Sequence, residues 1–300
     1  NCARGGLIDE VALKESLERG HVASAALDVF VNEPPKNSPL IGTKNLIMTP
    51  HLGASTNEAQ EKVALQVAEQ ISDYLKTGAI TNAVNTFSLT ATEYNMVKPY
   101  LKLSEQLGGF AGQLTENAIK KIAVEFEGAV SKINTQPLIQ TVIYSLLKKN
   151  FDGLNVINSV AVAKTKSIQI TEIKHEKAAE YQSCITLTIE TEKQTRSVSG
   201  TLFGGKPRIV NVKGIKIEAE LSRYNLYISN EDKPGFISNL SKILADNKIN
   251  IATFNLGRKS SGGEAIALIS TDNEIKNSII EQIKKLPLVI QVKPLTFNES

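Results

Sequence analysis

Near the start of the chain, three short apolar segments each lead into an ionisable side chain. Arg4 follows the opening residues, Glu33 follows residues 22–30, and His51 follows residues 45–48. The alternation of strand-like and helix-like segments in this region predicts a parallel sheet. Open sheets of this kind bind ligands at the edge where their strands end. The pattern therefore predicts that a guanidinium, a carboxylate and an imidazole meet at one sheet edge.

These three residue types together suit proton transfer. A carboxylate beside an imidazole holds the ring in one tautomer, and the imidazole can then move a proton near neutral pH. A guanidinium beside them can grip a carboxylate through two parallel hydrogen bonds. Plainer interpretations also exist: Arg4 as a solvated surface charge, and His51 as a structural or exposed residue. Glu33 precedes Pro34 and is compatible with an ordinary turn.

Three short motifs surround these residues: N-x-A-R-G at Arg4, D-V-F-x-x-E-P at Glu33 and T-P-H-x-G at His51. In this order, the set resembles the nucleotide-binding domain of the D-2-hydroxyacid dehydrogenase family, and of its D-3-phosphoglycerate dehydrogenase members in particular. The resemblance implies NAD-dependent oxidation of 3-phospho-D-glycerate to 3-phosphooxypyruvate, the first step of L-serine biosynthesis. It implies that His51 is the general base, that Glu33 holds its imidazole, and that Arg4 binds the substrate carboxylate.

The same resemblance assigns four residues to the nicotinamide cofactor: Ala3, Asp28, Gly53 and Ala54. Asp28 matches the family residue that contacts the nicotinamide carboxamide. The plainer interpretation of Asp28 is a carboxylate at a strand end that accepts hydrogen bonds from backbone amides. No glycine-rich pyrophosphate loop joins a strand to a helix, because the glycines of residues 108–112 follow no strand and fit a helix. We therefore expect a C-terminal piece of a longer enzyme, inactive by itself.

We expect residues 1–78 to form an α/β unit, the C-terminal piece of a Rossmann-type parallel sheet with its return helix. The first helix is predicted between Asp9, a good N-cap, and Gly20, a good C-terminal stop. A long helix then begins at Ser55 or Thr56. Its apolar residues recur every four positions, which predicts one buried stripe: Ala59, Val63, Val67, Ile71 and Leu75.

Residues 79–99 have the composition of a linker, and residues 100–220 have the helix and strand patterns of an α+β domain. The glycine-containing segment at residues 200–204 and the basic residues after it resemble the allosteric substrate-binding domain that intervenes in the longer phosphoglycerate dehydrogenases. The resemblance implies an anion site lined by three basic residues: Lys206, Arg208 and Lys213. The alternative is a solvated basic edge that discourages strand pairing.

Residues 221–300 follow the order βαββαβ, which is the ferredoxin-like arrangement. The turn at residues 230–235 opens the first helix of this block and resembles the ACT domain, a small amino-acid-sensing module. The resemblance implies L-serine as an effector, and subunits paired through these domains into a dimer or tetramer. The matching effector positions are Asn230, Asp232 and Asn250. Helix capping is the alternative for Asp232, and a turn residue is the alternative for Asn250.

Composition argues against several other functions. Of the 300 residues, 41% are hydrophobic and 22% are charged, as is typical of a globular chain. A net charge of +3, with no Trp and no block of Lys or Arg, argues against nucleic-acid binding, and no apolar run has the length of a membrane span. Cys2 and Cys184 lie far apart and the three His residues are scattered, so we expect a cytoplasmic protein without a metal site.

Two other functions remain open at this point. The chain can act chiefly as a regulatory module that binds an amino acid and holds subunits together, through residues 100–300. Alternatively, it is part of another D-2-hydroxyacid dehydrogenase. The ACT-like block argues against that second alternative, because simpler members of the family end soon after the long helix at residues 56–77.

Overall fold

The computed structural model describes residues 1–177 and 180–298 of the chain. These residues form two compact units, Asn1–Thr77 and Gly78–Ser300. Within the described ranges, no helix is long and apolar enough to cross a membrane.

The first unit contains a short parallel sheet flanked in sequence by two helices: α1 (Glu10–Glu18), β1 (Ala25–Leu27), β2 (Leu46–Met48) and α2 (Asn57–Thr77). The two strands run in parallel, with Ala26 opposite Ile47. Asp9 is the N-cap of α1, because its Oδ1 accepts hydrogen bonds from the N–H groups of Val11 and Ala12, each at 3.0 Å. The predicted parallel sheet and the predicted helix start are both confirmed.

Both strands are shorter than the segments predicted at residues 22–30 and 45–49. β1 ends just before Asp28. The carboxylate of Asp28 accepts hydrogen bonds from the N–H groups of Leu52 and Gly53 in a later loop. Asn1 lies alongside β1, because its nitrogen donates to the carbonyl of Ala26 at 2.8 Å and its carbonyl accepts from the N–H of Asp28 at 3.0 Å. The opening residues therefore extend the sheet edge without forming a strand of their own.

Helix α2 begins where the sequence predicts, but its apolar stripe is not packed. The hydroxyl of Thr56 accepts a hydrogen bond from the N–H of Ala59 at 3.2 Å, which satisfies one of the free amides of the first turn. The structure describes every residue of α2, and none of them is buried. The stripe residues are between 47% and 76% exposed: Val63, Val67, Ile71 and Leu75.

The second unit begins with helices packed on one mixed sheet, here called the larger sheet: α3 (Ala91–Leu114), β3 (Ile119–Gly128), α4 (Gln136–Leu147), α5 (Ser159–Thr165), β4 (Gln169–His175), β5 (Ser183–Thr191), β6 (Thr195–Phe203), β7 (Lys206–Val212) and β8 (Ile215–Ala219). Its strand order is β4-β3-β5-β6-β7-β8. β3 and β4 are parallel, and the other neighbours are antiparallel. The turn between β7 and β8 has positive φ at Lys213 (53°) and Gly214 (79°), as a two-residue hairpin turn requires.

The predicted linker at residues 79–99 is partly helical, which corrects the sequence interpretation. Thr90 and Glu93 form a capping box that starts α3 at Ala91, within the segment interpreted as a linker. Pro99 lies inside this helix. A proline there lacks the N–H that would bond to the previous turn, so sequence patterns favour a break at that point. The capping box, which the composition of the segment obscures, decides where the helix begins.

Two further details of this region are not apparent from the sequence pattern. Thr135 precedes α4 but makes no capping bond with its side chain. Its hydroxyl donates instead to the carboxylate of Glu172, which lies on β4. The short helix α5 has too few apolar residues in a regular period to be predicted from sequence.

Two glycines of α3 allow close contact with α4. A Cβ at Gly108 would lie 2.3 Å from the carbonyl oxygen of Val142, and a Cβ at Gly112 would lie 2.5 Å from that of Leu146. Only a residue without a side chain lets the two helix backbones approach so closely. The glycine-rich run at 108–112 is therefore a helix-packing feature, as its sequence context predicts.

The remaining elements form the C-terminal sheet and its two helices: β9 (Tyr224–Glu231), α6 (Phe236–Asp246), β10 (Ile251–Arg258), β11 (Glu264–Thr271), α7 (Asn277–Lys284) and β12 (Val289–Thr296). The strand order is β10-β11-β9-β12, with every neighbouring pair antiparallel. The predicted βαββαβ fold is confirmed. α6 starts at Phe236, because Gly235 takes a left-handed N-cap conformation with φ of 99°.

The C-terminal sheet is covered on both faces. Leu226 and Ile228 pack in one core cluster with α6 and α7. Tyr227 and Leu268 belong to a second cluster that also contains the core of the larger sheet. At the margin, a Cβ on Gly257 would lie 2.2 Å from the carbonyl oxygen of Lys216, so β10 and β8 meet backbone to backbone.

Candidate functional site

The predicted acid–base pair is present where β1 and β2 end. Nδ1 of His51 lies 2.7 Å from Oε2 of Glu33, and the two side chains are 44% and 35% exposed. Oε1 of Glu33 accepts a hydrogen bond from the N–H of Phe30 at 3.0 Å. The bond to His51, and then the bond from Phe30, hold the pKa of Glu33 below its ordinary value. Glu33 is therefore ionised beside the imidazole at neutral pH.

The backbone at His51 has an uncommon conformation. Its φ is 57°, in the left-handed region that few residues other than glycine adopt, although His is one of the tolerated types. The chain reverses here directly after Pro50, and Ser55 donates its hydroxyl back to the carbonyl of His51 at 3.2 Å. Residues held in sparsely populated backbone regions cluster at functional sites. This conformation directs the His51 ring toward Glu33 at the sheet edge.

Asp28 organises the loop that carries His51. Its Oδ1 accepts from the Thr49 hydroxyl at 2.5 Å and from the N–H of Leu52 at 2.8 Å, and its Oδ2 accepts from the N–H of Gly53 at 3.0 Å. The bonds from Thr49 and Leu52 contribute most to a pKa of Asp28 below its ordinary value. The structure thus supports the plainer interpretation of Asp28 as a carboxylate that binds backbone amides.

The same carboxylate is compatible with a nicotinamide carboxamide. Each oxygen of a carboxylate can accept about two hydrogen bonds, and Oδ2 of Asp28 receives one, from Gly53. Gly53 adds no side chain beside this oxygen, since a Cβ there would lie 3.5 Å from Oδ2. Ala3 and Ala54 are exposed and add only methyl groups to the edge. Cofactor contact by these four residues remains a prediction that this geometry fits.

Arg4 lies on a loop that docks against the end of β1, but its guanidinium is not part of the Glu33–His51 contact. Its Nη1 donates to the carbonyl of Ala3 at 2.7 Å. A Cβ at Gly5 would lie 1.9 Å from the carbonyl oxygen of Phe30, so only glycine fits there. The structure therefore brings the Arg4 loop to the predicted edge, and brings Glu33 and His51 into direct contact.

Two residues of this edge were not assigned a role from sequence. Asn1 accepts from the N–H of Ala3 and donates to the carbonyl of Arg4, each at 3.0 Å, so it shapes the loop that carries Arg4. Thr49 connects β2 to Asp28. Both residues belong to the sequence motifs, but a motif does not reveal which side chains bond to each other.

The three basic residues predicted to bind an anion do not form one cluster. Arg208 pairs with Glu220 at 3.3 Å, and Lys213 pairs with Glu264 of β11 at 3.6 Å. Lys206 begins β7, opposite Phe203, whereas Lys213 follows the other end of that strand. The length of β7 thus separates Lys206 from Lys213, and carboxylates pair with Arg208 and Lys213; anion binding by these residues stays a prediction.

The predicted effector residues each have partners within the chain. Oδ2 of Asp232 accepts from Arg258 at 2.8 Å and from the N–H of Gly262 at 3.2 Å, and these bonds lower its pKa. Asp232 does not cap α6, whose N-cap is Gly235, so that alternative is wrong. Asn250 donates from Nδ2 to Oδ2 of Asp272 at 2.7 Å.

Asn230 differs from the other two. It is 2% exposed and donates from Nδ2 to the carbonyl of Glu231 at 2.8 Å. Its Oδ1 is buried and has no hydrogen-bond partner among the described residues. A buried acceptor without a partner is unfavourable, so it favours a donor supplied from outside this set of residues.

A second candidate site could consist of the cysteines or of a group of metal-binding side chains. Cys2 is exposed, and Cys184 is buried, which raises its pKa to about 11 and keeps the thiol protonated. Across residues 1–177 and 180–298, no group of three or more His, Cys, Asp or Glu side chains has an arrangement that could hold a metal ion.

Three family models match consecutive parts of the chain. Residues 1–53 match the D-isomer specific 2-hydroxyacid dehydrogenase, NAD binding domain; residues 96–213 match the D-3-phosphoglycerate dehydrogenase intervening domain; and residues 224–288 match the ACT domain. The chain is therefore similar to D-3-phosphoglycerate dehydrogenases in all three of these parts. The first match contains Arg4, Glu33 and His51, and the third contains the predicted effector residues.

Curated relatives are similar in sequence to almost the whole of this chain. The D-3-phosphoglycerate dehydrogenase of Bacillus subtilis (strain 168) is 37% identical over 98% of this chain, and that of Methanocaldococcus jannaschii is 36% identical over 97%. In each case the match covers 56% of the relative, so the chain spans about half the length of these relatives.

A solved structure matches a smaller part. The D-isomer specific 2-hydroxyacid dehydrogenase from Xanthobacter autotrophicus Py2, crystallised with NADPH and MES, is 35% identical over 31% of this chain and 36% of its own, with a TM-score of 0.24. The match to the intervening domain of D-3-phosphoglycerate dehydrogenases favours that group over other D-2-hydroxyacid dehydrogenases.

Proposed function

We propose that this chain supplies the acid–base pair and the regulatory block of an NAD-dependent D-3-phosphoglycerate dehydrogenase. The enzyme oxidises 3-phospho-D-glycerate to 3-phosphooxypyruvate in L-serine biosynthesis. The contact of 2.7 Å between Nδ1 of His51 and Oε2 of Glu33 carries this proposal. It is the arrangement that the oxidation of a secondary alcohol requires, since a proton must leave the hydroxyl as the carbonyl forms.

The proton transfer follows from the geometry of the pair. Glu33 engages Nδ1 of His51, which leaves Nε2 as the ring nitrogen that accepts the hydroxyl proton. Because the pKa of Glu33 is lowered, its carboxylate stays charged and stabilises the imidazolium that forms. Glu33 itself is also held by the N–H of Phe30, so it orients the ring without moving.

Arg4 is proposed to bind the substrate carboxylate. Arg4 is exposed, and the contact of its guanidinium with the Ala3 carbonyl leaves other N–H groups available for a carboxylate. A bidentate grip fixes the position of the alcohol carbon relative to His51. The positive charge also stabilises negative charge that develops on the carbonyl oxygen.

NAD, when bound, accepts the hydride from the alcohol carbon. Ala3, Asp28, Gly53 and Ala54 would hold its nicotinamide end, because the free capacity on Oδ2 of Asp28 suits an amide donor. The Asp28 bonds to Leu52 and Gly53 keep this edge in place while the proton is transferred.

A substrate panel with the full-length protein tests this function. NADH formation is measured with 3-phospho-D-glycerate, D-glycerate and D-lactate under identical conditions. We expect kcat/KM to be highest for the phosphorylated substrate. Faster oxidation of D-lactate would contradict the proposal and indicate another hydroxyacid dehydrogenase.

A regulatory role accompanies the enzymatic one. The unpartnered Oδ1 of Asn230 favours a ligand with N–H or O–H donors, and an amino acid supplies both. Asp232 and Asn250 lie in the loop before α6 and just before β10, at the positions that ACT domains use for amino acids. We therefore propose that L-serine binds to residues 221–297 and that subunits associate through this block.

A further inference from the structure

Glu10, at the first position of α1, uses both of its carboxylate oxygens on the loop that follows β1. Its Oε1 accepts from the N–H of Val31 at 2.9 Å, and its Oε2 accepts from the hydroxyl of Ser38 at 2.6 Å. The two partners lie 21 and 28 residues further along the chain. Glu10 thus clamps both ends of the segment 31–38, here called the Glu33 loop.

Within the Glu33 loop, the main chain makes two turn bonds, from the N–H of Lys36 to the carbonyl of Pro34 and from the N–H of Ser38 to the carbonyl of Pro35. The loop contains neither a helix nor a strand, and most of its residues are exposed. Glu33 accepts from the N–H of Phe30, and Glu10 accepts from the N–H of Val31, so two carboxylates bind consecutive peptide groups. Each then uses its other oxygen on a side chain: Glu33 reaches His51, and Glu10 reaches Ser38.

Helix capping does not explain Glu10. An acidic residue in the first turn of a helix is generally favourable because of the helix dipole. However, Asp9 already accepts from the N–H groups of Val11 and Ala12 and fills the N-cap position. The carboxylate of Glu10 is turned away from these amides and toward a different segment. The other acids of α1, Glu15 and Glu18, are exposed and pair only with basic residues of the same helix end.

We infer that Glu10 is a positioning residue for the Glu33–His51 pair. It fixes the Glu33 loop on α1, so that Oε2 of Glu33 stays within hydrogen-bond distance of Nδ1 of His51. The geometric part of this inference concerns the chain alone, and its catalytic consequence rests on the proposed function.

Titration of the Glu33 carboxyl in this chain tests the geometric part. The bonds from His51 and Phe30 keep the pKa of Glu33 low, so a loosened loop raises it toward the ordinary Glu value. Carboxyl carbon NMR would measure the titration midpoint of Glu33 in the unmodified chain, in Glu10→Ala and in Glu18→Ala. We expect an upward shift in Glu10→Ala and no change in Glu18→Ala. A folded Glu10→Ala chain with an unchanged midpoint would overturn the inference.

Two further variants separate hydrogen bonding from charge and from loss of folding. In Glu10→Gln, the amide oxygen accepts from Val31 and the amide N–H groups donate to Ser38, so we expect a midpoint close to that of the unmodified chain. Ser38→Ala removes one anchor without changing α1, and we expect a partial upward shift. If Glu10→Ala does not fold, the Ser38→Ala result decides: a midpoint equal to the unmodified one contradicts the inference.

Turnover in the full-length protein tests the catalytic part. A displacement of about 1 Å in a catalytic group can cost about 100-fold in rate. We expect Glu10→Ala to lower kcat by about tenfold or more with a smaller change in KM, and Glu10→Gln to restore most of it. A shifted Glu33 midpoint with unchanged kcat would support the positioning role and contradict the proposed catalytic use of the pair. An unchanged midpoint with lowered kcat would overturn the positioning role.

Discussion

The hydroxyl of Thr49 donates to Oδ1 of Asp28 over 2.5 Å, and this bond joins the end of β2 to the end of β1. Two backbone N–H groups, those of Leu52 and Gly53, complete the set of donors around the same carboxylate. The loop that presents His51 is therefore held by a buried residue of the neighbouring strand end. Its geometry depends on Asp28 remaining ionised.

The first unit is expected to lose stability in acid. The pKa values of Asp28 and Glu33 are both lowered in the folded chain. A lowered folded-state pKa contributes stability that is present above the unfolded value, near pH 4, and is lost as pH falls through the folded value. Chemical denaturation of the unmodified chain should therefore show decreasing stability from about pH 4 downward.

The variant Asp28→Asn isolates one of these two contributions. The substitution removes the titrating carboxyl and can place a side-chain N–H against the N–H of Gly53. We therefore expect a lower free energy of unfolding at neutral pH, and a smaller decrease of that free energy as the pH falls. Glu18→Ala, an exposed change on α1, serves as the control and should keep the acid dependence of the unmodified chain. An acid dependence that is equally steep in Asp28→Asn would contradict the role given to this carboxylate.

The contact of α3 with α4 predicts opposite responses at two adjacent glycines. Gly108→Ala places a Cβ against the carbonyl of Val142, which cannot move without shifting a helix, so overpacking should destabilise the chain by about 1–3 kcal/mol. Gly109→Ala meets only an edge carbon of Phe297 at 3.3 Å and gains helix propensity of up to about 1 kcal/mol. Thermal and denaturant unfolding of both variants would measure the difference. Equal stability of the two would contradict the packing argument.

L-serine should bind to the chain with stereoselectivity. Calorimetric titration is expected to show heat for L-serine and much less for D-serine or glycine, because a fixed acceptor at Asn230 distinguishes the substituents. Asn250→Ala should abolish the heat. Asn247→Ala, whose amide bonds only to the helix carbonyl of Ile243, is the matched control and should bind normally. No heat in a folded and dimeric chain would contradict serine sensing by this block.

Arg4 should not tolerate replacement by lysine. Lysine keeps the positive charge but lacks the planar pair of N–H groups that grips a carboxylate bidentately. In the full-length protein we expect Arg4→Lys to raise KM for 3-phospho-D-glycerate, and Arg4→Ala to lower kcat/KM by roughly 100-fold, a scale typical of lost charged contacts and orientation. Arg19→Ala, a change on the exposed end of α1, should leave both parameters unchanged. Normal kinetics in Arg4→Ala would remove the residue from the site.

Those parts of the fold that depend on short-range patterns could be predicted from the sequence. The cap at Asp9, the turn at Lys213 and Gly214, and the βαββαβ order of the last block are set by neighbouring residues, and the structure has all three. The Glu33–His51 contact was also predicted, because both residues follow strands of one parallel sheet. Motif order then supplies the family in which such a pair occurs.

Long-range contacts account for what the sequence did not reveal. The partners of Glu10 lie more than 20 residues away, so its place in α1 gives no sign of its use. Glu220 and Glu264 pair with Arg208 and Lys213, and no local sequence pattern reveals these ion pairs. The start of α3 was missed because the composition around Pro99 indicates a linker more strongly than the capping box at Thr90 indicates a helix.

The most direct test of the account is the turnover of 3-phospho-D-glycerate with NAD in the full-length protein, measured for the unmodified enzyme and for His51→Ala. General acid–base catalysis contributes about 100-fold or more to such a rate. We predict that His51→Ala lowers kcat by about 100-fold or more, while the variant still folds and binds NAD. Turnover within a few-fold of the unmodified enzyme would contradict the assignment of His51 and Glu33 as the acid–base pair.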